Sequence, residues 1–336
     1  IRAIWMLVPL LAAGLSWTGA AEARLAWWIL DAFRAPVIAD QVGLVAISVD
    51  DPTTLRPGYP VMLRALRDAG AKAVVFDVAL TRRSPHDDAI AEAIIELGET
   101  GVPVVFPVRF SGPDAEPPAS LAIREAAQLG LVESTRGSAD GMVHQLEARR
   151  LLPDGETVWH LALAGAAAAQ GIDAGGIAVE GDDIQVGEHR VPAPGRLLWL
   201  TPTTAPPYVP HDALERFHEL EDGVVFVGAH GRNRDEFLTP AGIRYGVELI
   251  AMMTQAILSD AVPRRLGAGA DALAALLTGL ISLLLGRSRS WAGWVAAGGF
   301  ILVAIVLSAS GTLLALVPLA TAGLLGAWAG QGGKQR

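Results

Sequence analysis

Apolar residues fall into two rhythms along this chain. Unbroken stretches lie at 3–20, 266–285, 291–309 and 311–330, one at the front and three crowded at the end. A bilayer core of about 30 Å takes roughly 20 apolar residues as helix, so each stretch predicts a membrane span. Between them the apolar runs are short and divided by turn residues, as in a globular domain. The predicted organisation is an N-terminal transmembrane helix over 1–22, an extracytoplasmic domain over 23–263, three transmembrane helices over 264–331 and a cytoplasmic tail over 332–336. A globular domain held on one side of a membrane in this way has the layout of a sensor or receptor.

Within the domain, GLVAISVDD, AKAVVFDVAL and VPVVFPVRF read as buried strands, being short, apolar and β-branched. VMLRALRDAG and DAIAEAIIELG carry helical spacing between them. This alternation predicts parallel pairing with right-handed crossovers. Residues 21–40 keep a helical rhythm and predict a stalk. Further on, 121–130 reads as a short helix, and LEARRLL and TVWH as strands around a Pro-Asp-Gly turn. HLALAGAAAAQ is helical, IAVE and IQVG form a hairpin, and RLLWLTP is a strand. HDALERFHEL predicts a helix with Asp212 in its first turn, followed by the strand GVVFVGAH and the helix GVELIAMMTQAILSD. The fold class expected is α/β, with a mainly parallel central sheet, a hairpin-rich insertion and transmembrane helices at both ends.

Charge sets the orientation. Arg2 precedes the first stretch, Arg287 and Arg289 divide two of the others, and Lys334 and Arg336 follow the last. The positive-inside rule places all three segments in the cytoplasm of a multi-pass inner (cell) membrane protein, with the large domain outside. Arg264 and Arg265 count against this and are outnumbered. The front stretch also resembles a signal peptide ending in AAEA, but its length, with Trp5 and Trp17 near its ends, favours an uncleaved helix. The chain opens on Ile1 and stops soon after its last apolar stretch, so truncation is expected at both ends. A net charge of −9 without a basic run argues against nucleic acid as a partner. The absence of cysteine excludes disulfides, thiolate chemistry and cysteine-ligated metals.

Candidate chemistry lies where strands end. Asp50 and Asp51 follow the first strand, Asp77 ends the second, and Asp235 follows GVVFVGAH. Ligands of open α/β sheets lie beyond the carboxyl ends of strands, where these acids converge. They are either a carboxylate cluster for a cation or polar ligand, or helix caps and loop ties. Arg232 and Arg234 either hold an anion or pair with Asp235 and Glu236. Gly228 and Gly231 flank His230, as a phosphate-cradling loop or simply a tight turn. No P-loop or dinucleotide motif is present, and no histidine has metal-ligand spacing. His211 and His218 fall on a polar helix and are expected in solvent, as is Asp271 at the outer end of a span. The span interiors otherwise lack charge, which argues against transport. Gly279, Gly298, Gly299, Gly323 and Gly326 would let spans approach closely. No catalytic residue and no cofactor is nominated, and the identity of any metal stays open.

Five phrases in order carry a resemblance: VAISVDDPTTL, DAGAKAVVFDVAL, SPHDDAIAEAI, LGLVESTRGSADGMVHQLEARRLL, and DGVVFVGAHGRNRDEFLTPAGIRYGVELIAMMTQAILSD. Together they resemble the CHASE domain of type 2, the cyclase/histidine-kinase-associated sensory extracellular domain, over roughly 37–263 and followed by three spans. The positions matching its pattern are Asp50, Asp51, Gly70, Asp77, Asp88, Asp140, Gly141, Gly228, Asp235, Pro240, Gly246 and Glu248. One departure is that the Trp-Pro-x-Pro-Arg-like segment common in the family is shortened here to RPGYP. The resemblance implies a bacterial extracytoplasmic sensory module, joined through its spans to a nucleotide cyclase or a protein kinase, fused or separate. It also implies a homodimer, a membrane-lipid environment and an extracytoplasmic stimulus of unknown identity. Competing readings are a stand-alone membrane scaffold and a metal-dependent periplasm-facing enzyme using Asp50, Asp77 and Asp235.

Overall fold

The structure, a computed structural model, describes residues 20–111, 114–132, 142–152, 155–231, 235–266 and 268–331. The chain divides into two compact units. One comprises Pro36–Arg136 and Gln145–Val262; the other is the remainder, which includes the first helix and the C-terminal helices.

The larger unit is α/β. In chain order it holds β1 (Val42–Ile47), α2 (Tyr59–Asp68), β2 (Ala73–Asp77), α3 (Asp87–Glu99), β3 (Val104–Ser111), β4 (Asp114–Glu116), α4 (Leu121–Ala126) and β5 (Gln128–Leu131). There follow β6 (Gln145–Glu147), β7 (Arg149–Leu151), β8 (Thr157–Trp159), α5 (Leu161–Ala169), β9 (Ala178–Glu180), β10 (Asp183–Val186), β11 (His189–Pro192), β12 (Leu197–Trp199) and β13 (Tyr208–Pro210). It closes with β14 (Val224–Ala229), β15 (Glu236–Thr239), β16 (Gly242–Tyr245) and α6 (Gly246–Leu258). The central sheet runs β13-β1-β14-β2-β3, with both β4 and β5 pairing with β3. All these pairings are parallel except β3–β4. The register aligns Val45 with Val227 and Val227 with Phe76.

Burial on both faces explains why the central strands are continuous apolar runs. Val45, Phe76, Phe106 and Val227 pack with Tyr59, Leu63 and Leu66 of α2 and Ile90, Ile94 and Leu97 of α3. Phe76 and Phe106 stack with centroids 4.5 Å apart. The opposite face takes α5, whose sequence LALAGAAAA has almost no bulk. A Cβ on Gly165 would lie 3.1 Å from Val75 and 3.3 Å from Phe226, so small residues let α5 lie close on the sheet. Short antiparallel pieces (β9–β10–β11, β7–β8, β6–β12 and β15–β16) form the hairpin-rich part.

Three local expectations are corrected. LEARRLL is not one strand: β6 pairs with β12 and β7 with β8, so the run changes partner at Ala148. Residues 121–130 split into α4 and β5. The helix expected at 211–220 is a 3₁₀ helix, Leu214–Leu220, with Asp212 ahead of it. Phe217 and Leu220, three apart, are buried on one side, as a three-residue turn requires.

The second unit holds α1 (Ala20–Phe33), β17 (Arg264–Arg265), α7 (Ala268–Ser288), α8 (Ser290–Ala309), β18 (Thr312–Leu313) and α9 (Leu316–Gln331). Among the described residues two helices are long and apolar enough to cross a membrane, Gly269–Ser288 and Trp291–Ser308. Only 28% and 22% of their spans are buried, so their apolar surface is mostly uncovered, unlike that of a soluble core helix. Among the described residues the expected C-terminal spans are thus two and not three, and the helix expected at 1–22 lies almost wholly outside those residues. The front stretch lies outside the described residues but for Ala20, and α1 has 14 residues. The last stretch yields only the 16 residues of α9, because its beginning pairs as β18 with β17.

Asp271 is not in solvent as expected. It is 1% exposed, pairs with Arg265 at 3.0 Å and accepts the Ala315 N–H at 2.8 Å. A charge needed a partner to lie at this depth, and Arg265 supplies it. Gly279, Gly323 and Gly326 do sit at helix contacts, but Gly298 and Gly299 face nothing within 4 Å.

Candidate functional site

The parallel strands end on one edge, and a cavity of about 810 Å³ opens there. Each strand end contributes to it. Asp50 and Pro52 follow β1, Asp77 ends β2, Arg109 and Phe110 lie near the end of β3, and Ala229 ends β14. Val132 follows β5, and His160 extends that edge through a bridge to Leu131. The far wall is built by Asp235, Phe237 of β15, and Gly246, Leu249 and Ile250 of α6.

Asp77 is the central acid. It is half-buried at the end of β2, and among the described residues its carboxylate has no hydrogen bond or ion pair. Burial pushes its pKa well above the ordinary carboxylate value and the Asp235 charge pushes it further, while Arg109 opposes both. Asp235 is also raised, mainly by burial, with a hydrogen bond from Gly246 N–H and the Arg109 charge opposing. Two carboxylates thus share a low-dielectric site with one cation within electrostatic reach. His160 is 1% exposed, and its Nδ1 accepts the Ala162 N–H at 3.2 Å, capping α5. Burial lowers its pKa to about 4, so the ring is neutral and its proton is on Nε2.

Two glycines make room for the two acids. Gly228 is in register with Asp77. A Cβ there would lie 2.8 Å from Val247 and 3.1 Å from Asp77 Cβ. A Cβ on Gly246 would meet the Asp235 carboxylate. Gly228→Ala is therefore expected to cost about 1–3 kcal/mol by overpacking, read as a lower thermal midpoint.

The other predicted residues have different places. Asp51 caps the 3₁₀ turn at Pro52–Gly58, accepting from Thr53 N at 2.9 Å and Thr53 Oγ1 at 2.6 Å, bonds that lower its pKa. His230 lies between the Tyr208 and Tyr245 rings and meets Glu248 Oε1 at 3.2 Å. Glu248 also accepts the Tyr245 N–H at 3.0 Å; burial raises its pKa, but these bonds and nearby charges bring it below the ordinary value. Gly70 closes α2 in the left-handed region at φ +83°. Asp88 is exposed in the first turn of α3, and Pro240 lies in the β15–β16 turn. His218 is exposed as expected, whereas His211 is half-buried. Asp140, Gly141, Arg232 and Arg234 lie outside the described residues. Among the described residues no three acids or histidines lie together as a metal site. The expected acids thus share a cavity without forming, among the described residues, a ligand set for a metal ion. Arg109 and His160 are the ionisable cavity residues that reading the sequence missed. Arg109 had a signal available, since it is the charged residue near the carboxyl end of its apolar strand.

The CHASE2 domain profile matches residues 5–299, most of the chain. The chain belongs to the CHASE2 family. No match was found among curated proteins or solved structures. CHASE2 is an extracellular sensory domain of signalling proteins, which accords with a sensor role. The two apolar helices suggest a membrane protein. In this CHASE2 chain, Asp50, Asp77, Asp235 and Gly246, four of the positions through which the sequence was expected to resemble the family, line the cavity, and a Cβ on Gly228 would crowd Asp77.

Proposed function

We propose that this chain is the input module of a membrane receptor and that the cavity at the strand ends is its input site. The observation that carries the reading is the cavity itself. It lies at the carboxyl edge of the sheet, where open α/β sheets take ligands, and it holds a half-buried acid with no hydrogen-bond or ion-pair partner among the described residues. Groups placed in that state are characteristic of functional sites. The domain faces outward from the inner membrane, as the arginines at 287 and 289 favour. The wall helix α6 continues through residues 259–267 to α7. A change at the cavity wall is thereby connected along the chain to the spans and to a cytoplasmic effector, a cyclase or kinase. A ligand drives such a switch only by binding its two states with different affinity.

This chain holds no cysteine, so an introduced thiol is the one labelled within it once any cysteine elsewhere in the full-length gene product has been replaced. Single cysteines are placed at Ala79, which lines the cavity, and at Ser288, the last residue of α7. An impermeant maleimide on intact cells should label A79C and leave S288C unlabelled until the membrane is opened. In membranes carrying the full-length gene product, labelled A79C should shift effector output. Labelling of S288C from outside would refute the orientation. Unchanged output from labelled A79C would refute the input site.

A further inference from the structure

The groups that line the cavity differ in sign as well as position, and that difference defines a ligand. Asp77 and Asp235 offer carboxylates, and Arg109 and His160 offer donors. His160 is 1% exposed and its Nδ1 is taken by Ala162. Its Nε2–H has no partner among the described residues. Arg109 likewise makes no ion pair or hydrogen bond among them. Phe110, Leu249 and Ile250 supply an apolar wall.

Three kinds of ligand can be compared. A bare anion would satisfy Arg109 and the His160 donor but face three carboxylates, those of Asp50, Asp77 and Asp235. A bare cation would satisfy the acids and leave the buried His160 Nε2–H unpaired, which costs free energy, and would meet the Arg109 charge with the same sign. A molecule with both charges pairs with both sets, and an apolar tail covers the remaining wall. The volume is that of an ordinary small-ligand site. Resting on the input-site reading above, we propose that the cavity binds a small zwitterion with an apolar tail, of the α-amino-acid class. Its ammonium sits on Asp77 and Asp235 and its carboxylate on Arg109 and the His160 Nε2–H.

The test is calorimetric titration of the full chain in lipid nanodiscs with L-phenylalanine, 2-phenylethylamine and 3-phenylpropionate. These probes share a tail and differ only in which charges they carry. L-phenylalanine should bind saturably, the amine about tenfold or more weaker, for the loss of charge-assisted hydrogen bonds, and the acid not at all. Arg109→Gln should reduce L-phenylalanine to the affinity of the amine and leave the amine unchanged. Should that variant not fold, Ala79→Trp fills part of the cavity and should abolish binding. Equal affinity for amine and zwitterion, or binding of the acid alone, overturns the zwitterion. So does binding of none of the three. In each case the labelling of A79C still decides separately whether the cavity is the input site.

Discussion

Arg56→Met should lower the stability of the α/β unit by about 3–5 kcal/mol, the cost of stranding one partner of a buried ion pair. Arg56 lies in the 3₁₀ turn after β1 and Asp87 at the start of α3. Their side chains are 7% and 6% exposed and meet at 3.1 Å. Arg56 Nη1 also donates to the Arg82 carbonyl at 2.6 Å, and Asp87 Oδ2 accepts the Ser84 N–H at 2.9 Å. The pair thus ties two loops and a helix start on the sheet edge that bears the cavity. Removing Arg56 leaves Asp87 charged and buried; Asp87→Leu leaves Arg56 in the same state. Removing both leaves no buried charge, and the double variant should regain most of the loss. The measurement is a double-mutant cycle of thermal midpoints in the full chain. Each kcal/mol is roughly 2–4 °C in a domain of this size, so each single variant should fall by about 6 °C or more. Additive single effects would show that the two residues do not support one another.

That pair was not legible in the sequence. Arg56 stands in TTLRPGYP and Asp87 in SPHDD, both of which read as exposed connections. Only the crossover that brings β1 and α3 together buries them. The central strands were legible for the opposite reason. Burial on both faces leaves Val42–Ile47, Ala73–Asp77 and Val224–Ala229 with no polar residue before their ends. The acid that ends or follows such a run then marks the carboxyl edge, and this makes Asp50, Asp77 and Asp235 legible as cavity residues. Segments of three or four residues were harder. At Ala148 the chain switches from one hairpin partner to another without any change of composition. Asp271 reads as the hydrated end of a span until β17 brings Arg265 beside it. His160 stands between a strand and an Ala-rich helix, where nothing in its neighbours announces a cavity.

Asp77→Asn should make the protein more stable at pH 8 while removing its response to ligand. Burial and Asp235 raise the Asp77 pKa in the folded chain, so the folded state holds that proton to a higher pH than the unfolded chain does. Protons bound in excess by the folded state stabilise it at low pH. Stability from Asp77 is therefore full below the unfolded value of 3.8 and falls as pH rises through the raised folded value. Asp235 carries the same sign. Asparagine keeps the shape and has no charge to bury. The variant should gain about 1–3 kcal/mol at pH 8, the scale of an unsatisfied buried polar group, and the gain should shrink towards pH 4. Thermal midpoints of both proteins across that range measure it. If Asp77 were a helix cap or loop tie, the same substitution would lower the midpoint at pH 8, because a carboxylate accepting backbone N–H bonds would be weakened. The two roles predict opposite signs. A variant that melts higher and no longer binds L-phenylalanine would identify Asp77 as a group kept for its ligand at the expense of the fold.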